Sequence, residues 1–181
     1  MDMQKVYKIK KALQVPTILS IIISIPVFYD AITMIRTQGY PARMLVFACL
    51  FMILYYLFSL NNLIKKVTIR ESEIVLKSLF GSTHIPTGDI KLIDGITFGT
   101  RQFITISSKK KSSWIPNSYE NFQDLVLSLK SVIKEEIFAA GYTTMEENPV
   151  NRKRDIVMAW FIVFVLLFVI TIRVYQGLSL N

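Results

Sequence analysis

Three blocks of nearly uninterrupted apolar residues, 13–35, 44–64 and 156–172, bracket one long stretch, 65–138, in which apolar and polar positions alternate. The first two blocks reach the roughly 20 residues that a helix needs to cross a hydrocarbon core, and the third lies near the lower limit. Between the first two, Thr37-Gln38-Gly39-Tyr40-Pro41 breaks the helical pattern, so residues 13–64 are predicted to form a transmembrane hairpin. Pro16 falls in the first turn, where a missing N–H is harmless, whereas Pro26 is expected to kink its helix. The first apolar run is too long for a signal peptide and shows no small-residue cleavage site, so it is expected to be retained.

After Lys65-Lys66 the period shortens from helical to alternating. Val67 and Ile69 predict one strand, and Ile74, Leu76 and Phe80 the next after a Glu71-Ser72-Glu73 turn. Residues 81–85, 90–98, 101–108 and 112–116 follow as four more, divided by Gly and Pro positions and by Lys109-Lys110-Lys111. Ile90, Leu92, Ile96 and Phe98 are expected to share one face, with a bulge at Asp94-Gly95. Gly99-Thr100 suits a two-residue hairpin. Asn117 and Glu120 are placed to form a capping box, and Phe122, Leu125, Val126, Leu129, Val132, Ile133 and Ile137 draw one apolar stripe down a helix that Gly141 ends.

The predicted organisation is therefore a basic tail and hairpin over 1–64, a water-facing domain over 65–140, and a polar linker over 141–155. A third span over 156–175 and a tail over 176–181 complete it. A composition of 52% hydrophobic residues and a mean hydropathy of +0.43 fit a chain of which much faces lipid. The formal charge of +8 raises the prospect of nucleic acid, but its distribution removes it. Residues 1–64 carry +4, the domain stretch 65–148 only +1, and residues 149–181 +3. Positive charge flanks the spans, which is how topology is set, and the N-terminus and the domain are expected on the cytoplasmic side of a multi-pass membrane protein.

The cadence of Val67-Thr68-Ile69-Arg70, Ile74 through Gly81, Ile85-Pro86, Asp89 through Ile93, Gly99, Phe103 through Ile106 and Trp114 through Asn117, entering a helix with Phe122 and Leu125, resembles the bacterial pleckstrin-homology-like (PH-like) membrane proteins that carry an N-terminal transmembrane hairpin. The resemblance implies an α+β membrane protein with a bent antiparallel sheet of about seven strands capped by a C-terminal helix, often self-assembling and without known catalysis. Six strands are legible here, so the seventh is expected to be missing or hidden within residues 86–93. Phosphoinositide-binding relatives place basic residues between the first two strands, where this chain reads Glu71-Ser72-Glu73.

Candidate chemistry is sparse. Cys49 is the only cysteine and His84 the only histidine, so neither a disulfide framework nor a Cys/His metal site is expected. Ser-x-x-Lys spacing occurs at Ser107/Lys110, Ser108/Lys111 and Ser131/Lys134, without surroundings that would desolvate the lysine. No catalytic residue, cofactor or metal is expected. Lys109, Lys110 and Lys111 are the candidate contact for anionic lipid or a partner. Asp30, the carboxylate within the first span, is the candidate intramembrane polar site, with solvation at the far interface as its simpler role. The expected function is a non-enzymatic, membrane-anchored binding or scaffold module that forms a homo-oligomer or docks to another membrane protein. The alternative is a small transporter or channel accessory subunit using Asp30, Tyr55 and Tyr56.

Overall fold

The computed structural model describes residues 4–109, 111–150 and 153–179. Its first element is a strand, where the charge pattern predicts only a basic tail. In this strand, β1 (Lys5–Lys8), Tyr7 and the following Ile9 are buried while Lys8 is exposed. Then come α1 (Lys11–Thr37), α2 (Ala42–Ile64) and six strands: β2 (Lys66–Ile69), β3 (Glu73–Ser78), β4 (Gly81–Pro86), β5 (Ile90–Phe98), β6 (Arg101–Ser108) and β7 (Ser112–Pro116). The chain closes with α3 (Phe122–Val132), α4 (Ala140–Glu147) and α5 (Lys153–Ser179). It is a mixed α+β chain that divides into two units, Met1–Lys11 with Ile64–Arg154 and Ala12–Leu63 with Asp155–Asn181.

The first unit holds two antiparallel sheets, ordered β1-β2-β3-β4 and β5-β6-β7. β1 pairs with β2 from Lys5↔Ile69 to Lys8↔Lys66, so the helical hairpin α1–α2 is inserted into the connection between two neighbouring strands. On its other side the end of β1 is stitched to the segment after β7. Lys10 N donates to Ser118 O at 2.9 Å, and Glu120 N to Lys8 O at 2.8 Å. One strand therefore ties the two sheets together. Val67, Ile69, Ile74 and Ile85 of the first sheet, Ile93, Ile104, Ile106 and Ile115 of the second, and Phe122, Leu125, Val126 and Leu129 of α3 are buried together as the core. Each such side chain contributes about 1.5–3 kcal/mol.

Several expectations are corrected. The bulge in β5 falls at Lys91, between the pairs Ile90↔Ser108 and Leu92↔Ser107, and Asp94 and Gly95 lie in regular register. The extra residue reverses the alternation: Ile90 and Ile93 turn into the core, while Leu92, Ile96 and Phe98 turn outward. The expected helix through 138 stops at Val132, where Ile133 becomes extended. β-Branched Val132-Ile133 holds a helix weakly, and the chain beyond it gains a partner, since Ala139 N donates to Ile93 O at 2.8 Å along the free edge of β5. Asn117 and Glu120 do not cap α3, whose N-cap is Asn121 in the left-handed region at φ 49°. Glu120 instead accepts from Lys11 N at 3.2 Å, at the first residue of α1, where a negative charge complements the helix dipole.

The linker expected over 141–155 is in large part α4, with Tyr142 and Met145 in the core. Gly141 does not end a helix; it lies in α4 against β5, and a Cβ on Gly95 would stand 2.5 Å from Gly141 O. Residues 148–150 are pinned by buried amides. Gln102 donates from Nε2 to Asn148 O at 2.8 Å and accepts from Val150 N at 3.0 Å, and Asn117 Nδ2 donates to Val150 O at 3.2 Å.

The second unit contains three helices long and apolar enough to cross a membrane: Lys11–Thr37, Ala42–Ile64 and Lys153–Gln176, with mean hydropathies of 2.1, 2.1 and 2.7. α1 continues through Pro26, and α5 runs to Ser179, through the expected tail. α1 uses two faces. Pro16, Ser20 and Ser24 are buried at four-residue spacing, Ser24 Oγ lies 3.2 Å from Tyr56 Oη, and Phe28 packs on Phe51, Tyr55 and Tyr56. Small residues in such a stripe let helices approach closely. The other face meets α5 through Asp30.

Because β1 covers the edge of β2, a soluble fragment of residues 64–150 is expected to aggregate. The same fragment preceded by residues 4–9 through a short Gly/Ser linker is expected to unfold cooperatively in a thermal melt. Equal behaviour of the two would show that β1 is dispensable.

Candidate functional site

β1 and α3 bring together a polar cluster that no local sequence motif announces. Lys5 Nζ donates to Asp124 Oδ1 at 3.0 Å and to Ser128 Oγ at 2.9 Å. Tyr7 Oη donates to Asp124 Oδ2 at 2.6 Å and lies 2.8 Å from Ser128 Oγ. Tyr7 has a single hydroxyl proton and gives it to the carboxylate, so the Ser128 proton points to the Tyr7 oxygen. The order of donation runs Lys5, Ser128, Tyr7, Asp124. Lys5, Tyr7 and Asp124 also line a cleft of about 370 Å³ with Val6, Lys8, Glu120 and Asn121.

A serine between a lysine and a tyrosine invites comparison with nucleophilic sites, but the protonation states oppose it. Burial, followed by the bond to Asp124, pushes the Tyr7 phenol up to about 12, so it stays neutral. The Tyr7 hydroxyl, followed by the Lys5 ammonium, holds the Asp124 carboxyl below the usual carboxylate range. Lys5 Nζ is ion-paired with that carboxylate at 3.0 Å. A neutral phenol and a carboxylate held low are both poor acceptors for the serine proton. The arrangement serves as a lock between the strand before the membrane hairpin and the helix that closes the domain. Its local sequence signal was the alternation of Tyr7 and Ile9 with Lys8 and Lys10.

The residues singled out from the sequence lie apart. Lys109 pairs with Asp89 at 3.1 Å, Lys111 is exposed in the same turn, and Lys110 lies outside the described residues. His84 Nδ1 lies 2.9 Å from Glu73 Oε2, and Glu73 Oε1 accepts from Arg70 at 2.7 Å. Those partners, His84 first, hold the Glu73 carboxyl low. Among the described residues, no three His, Cys, Asp or Glu side chains gather as a metal site would require.

Asp30 Oδ2 accepts from Arg173 Nε of α5 at 3.0 Å, and Arg173 Nη2 lies 3.2 Å from Met34 Sδ. Asp30 is nineteen residues along α1 from Lys11, and Arg173 twenty along α5 from Lys153, so each lies about 30 Å from the start of its helix. The two charges meet at matching depth. Tyr55 and Tyr56 contact each other and Phe28, with ring centroids 5.4–6.0 Å apart, and the buried Tyr55 hydroxyl has no hydrogen-bond partner.

The outer face of β5-β6-β7 is the remaining feature. Leu92, Ile96 and Phe98 of β5 share it with Phe103 of β6 and Trp114 of β7, whose rings pack edge to face at 5.9 Å. Phe98 is 80% exposed and Trp114 61%. Comparison with known proteins adds no name to these surfaces: no family model matches the chain, and neither a curated protein nor a solved structure is similar to it.

Two predictions follow from these pairs. The folded Asp124 pKa lies below its unfolded value, so its contribution is complete above about pH 4 and disappears as pH falls through the folded value. Thermal melts in detergent should show wild-type stability dropping over that acidic window, with a smaller drop in Asp124→Asn. For the membrane pair, Asp30→Arg or Arg173→Asp alone should cost roughly 1–2 kcal/mol, and the double exchange should recover most of it. Single variants as stable as the parent would remove the pair as a tie between α1 and α5.

Proposed function

We propose that this chain is a non-enzymatic, membrane-anchored PH-like module that assembles with itself or docks onto another membrane protein at the cytoplasmic face of a bacterial inner membrane. The observation that carries the proposal is the apolar outer face of the β5-β6-β7 sheet. Large apolar side chains on a water-facing sheet cost solubility, and aromatic residues are the ones most enriched at the centres of protein interfaces. Here Phe98 and Trp114 stand exposed beside Leu92, Ile96 and the partly covered Phe103.

The PH-like part of the reading draws support from strand order. Four strands in one sheet and three in the other, with α3 residues buried beside both, agree in strand number with the seven-stranded, helix-closed arrangement that the resemblance implies. On this reading β1, which precedes the α1–α2 hairpin in sequence, supplies the seventh strand. With β1 counted, Glu71-Ser72-Glu73 lies between the second and third strands, and the membrane hairpin occupies the connection between the first and second. The cytoplasmic placement rests on the basic residues that flank the spans. Asp30 is paired with Arg173, which favours a structural tie between α1 and α5 over a transport role for this carboxylate.

Crosslinking in native membranes, followed by mass measurement in mild detergent, is expected to capture a homo-oligomer or a reproducible membrane-protein partner. Phe98→Ser/Trp114→Ser should abolish that product without changing membrane insertion. A strict monomer, or crosslinking unaffected by the double substitution, would overturn the reading.

A further inference from the structure

The register of the first sheet sets Lys8 of β1 directly opposite Lys66 of β2, and Lys66 directly opposite Lys77 of β3, with Ser82 of β4 completing the row. All four side chains stand on the outer face, because the alternate positions Tyr7 and Val67 are buried in the core. Strands lie about 4.8 Å apart, so three ammonium groups are rooted at that interval across about 10 Å. Like charges at directly opposed positions destabilise a sheet, and this row contains no compensating acid.

The nearest acid on the same face of β3 is Glu73, four residues from Lys77, about 13 Å along the strand. Its carboxylate is already engaged by Arg70 and His84. Among the described residues, none forms an ion pair with Lys8, Lys66 or Lys77. The fold thus maintains a concentrated positive row at a cost that nothing among the described residues offsets.

The row's position in the chain indicates what offsets it. Lys8 stands three residues before the first residue of α1, and Lys66 two after the last residue of α2. Chain length alone keeps both within about 10 Å of the ends of two membrane-spanning helices, the depth at which lipid phosphates lie. We infer that Lys8, Lys66 and Lys77, with the Ser82 hydroxyl, bind the phosphate of an anionic phospholipid headgroup across β1, β2 and β3. This site is separate from the Lys109–Lys111 turn, where Lys109 is held by Asp89. The inference rests on the membrane-anchored part of the proposed function and not on its docking partner. A wild-type chain that gives no crosslinked product but retains its lipid would dismiss the docking and leave this site standing.

The test uses the full chain in nanodiscs of phosphatidylcholine with and without phosphatidylglycerol, with retained lipid counted by native mass spectrometry and stability followed by thermal melts. Wild type is expected to retain phosphatidylglycerol in preference to phosphatidylcholine and to melt higher in its presence. The triple variant Lys8→Gln/Lys66→Gln/Lys77→Gln should lose both effects, with apparent affinity lower by about a hundredfold at roughly fivefold per charge. Without phosphatidylglycerol it should melt no lower than wild type, because the cross-strand repulsion is gone. Lys109→Gln/Lys111→Gln/Lys134→Gln, with the same change in net charge, should keep the preference. Equal loss in both triple variants, a row variant destabilised in phosphatidylcholine alone, or displacement of the lipid by inorganic phosphate would each overturn the assignment.

Discussion

The backbone ladder between β1 and β2 is the contact on which the domain depends. It joins residues that are close to sixty positions apart in sequence, with two membrane-spanning helices between them. Loop-closure entropy rises only slowly with length, and a helical hairpin is a stiff connection whose two ends emerge near one another. The membrane segment therefore acts as the turn of a β-hairpin, and the cost of bringing β1 to β2 is met when the two helices pair. Pairing across Ser24 and Tyr56 and around Phe28 thus bears on how the sheet of the other unit forms.

Around that ladder the structure spends polar groups on fixing chain segments. Lys5, Tyr7, Asp124 and Ser128 hold β1 to α3, and Glu120 reaches the first N–H of α1. Gln102 and Asn117, each 1% exposed, hold the backbone that leads into α5. Each tie falls where the chain passes between the water-facing unit and a membrane helix. Hydrogen bonds inside a protein contribute about 1 kcal/mol each when satisfied and cost more when broken, so several of them hold these segments firmly to the first unit.

What remains on the surface divides by character. The outer face of β5-β6-β7 is apolar and aromatic, while the outer face of β1-β2-β3 carries a row of lysines. The first suits a protein surface, because burying aromatic area is the dominant gain in protein association. The second suits phosphate close to the bilayer, where each positive charge gains from the anionic leaflet. One small domain thereby offers two chemically distinct faces, and the bulge at Lys91 assigns Leu92, Ile96 and Phe98 to the apolar one.

By itself the sequence determined whatever depends on runs of like residues. The three spans, the turn at Gly39, the six strands from β2 to β7 and the Gly99-Thr100 hairpin are all local patterns of hydropathy and backbone freedom. Only the tertiary structure decided the rest, because pairing partners far apart in sequence leave no local mark. Residues 5–8 became a strand because β2 and the 118–120 segment flank them, although the four lysines at positions 5, 8, 10 and 11 read equally well as a topogenic tail. The helix expected to reach 138 gave way after Val132 because the edge of β5 offered Ala139 a backbone partner. The Lys8–Lys66–Lys77 row exists only once register is set, since nothing in the spacing of three lysines at positions 8, 66 and 77 places them side by side.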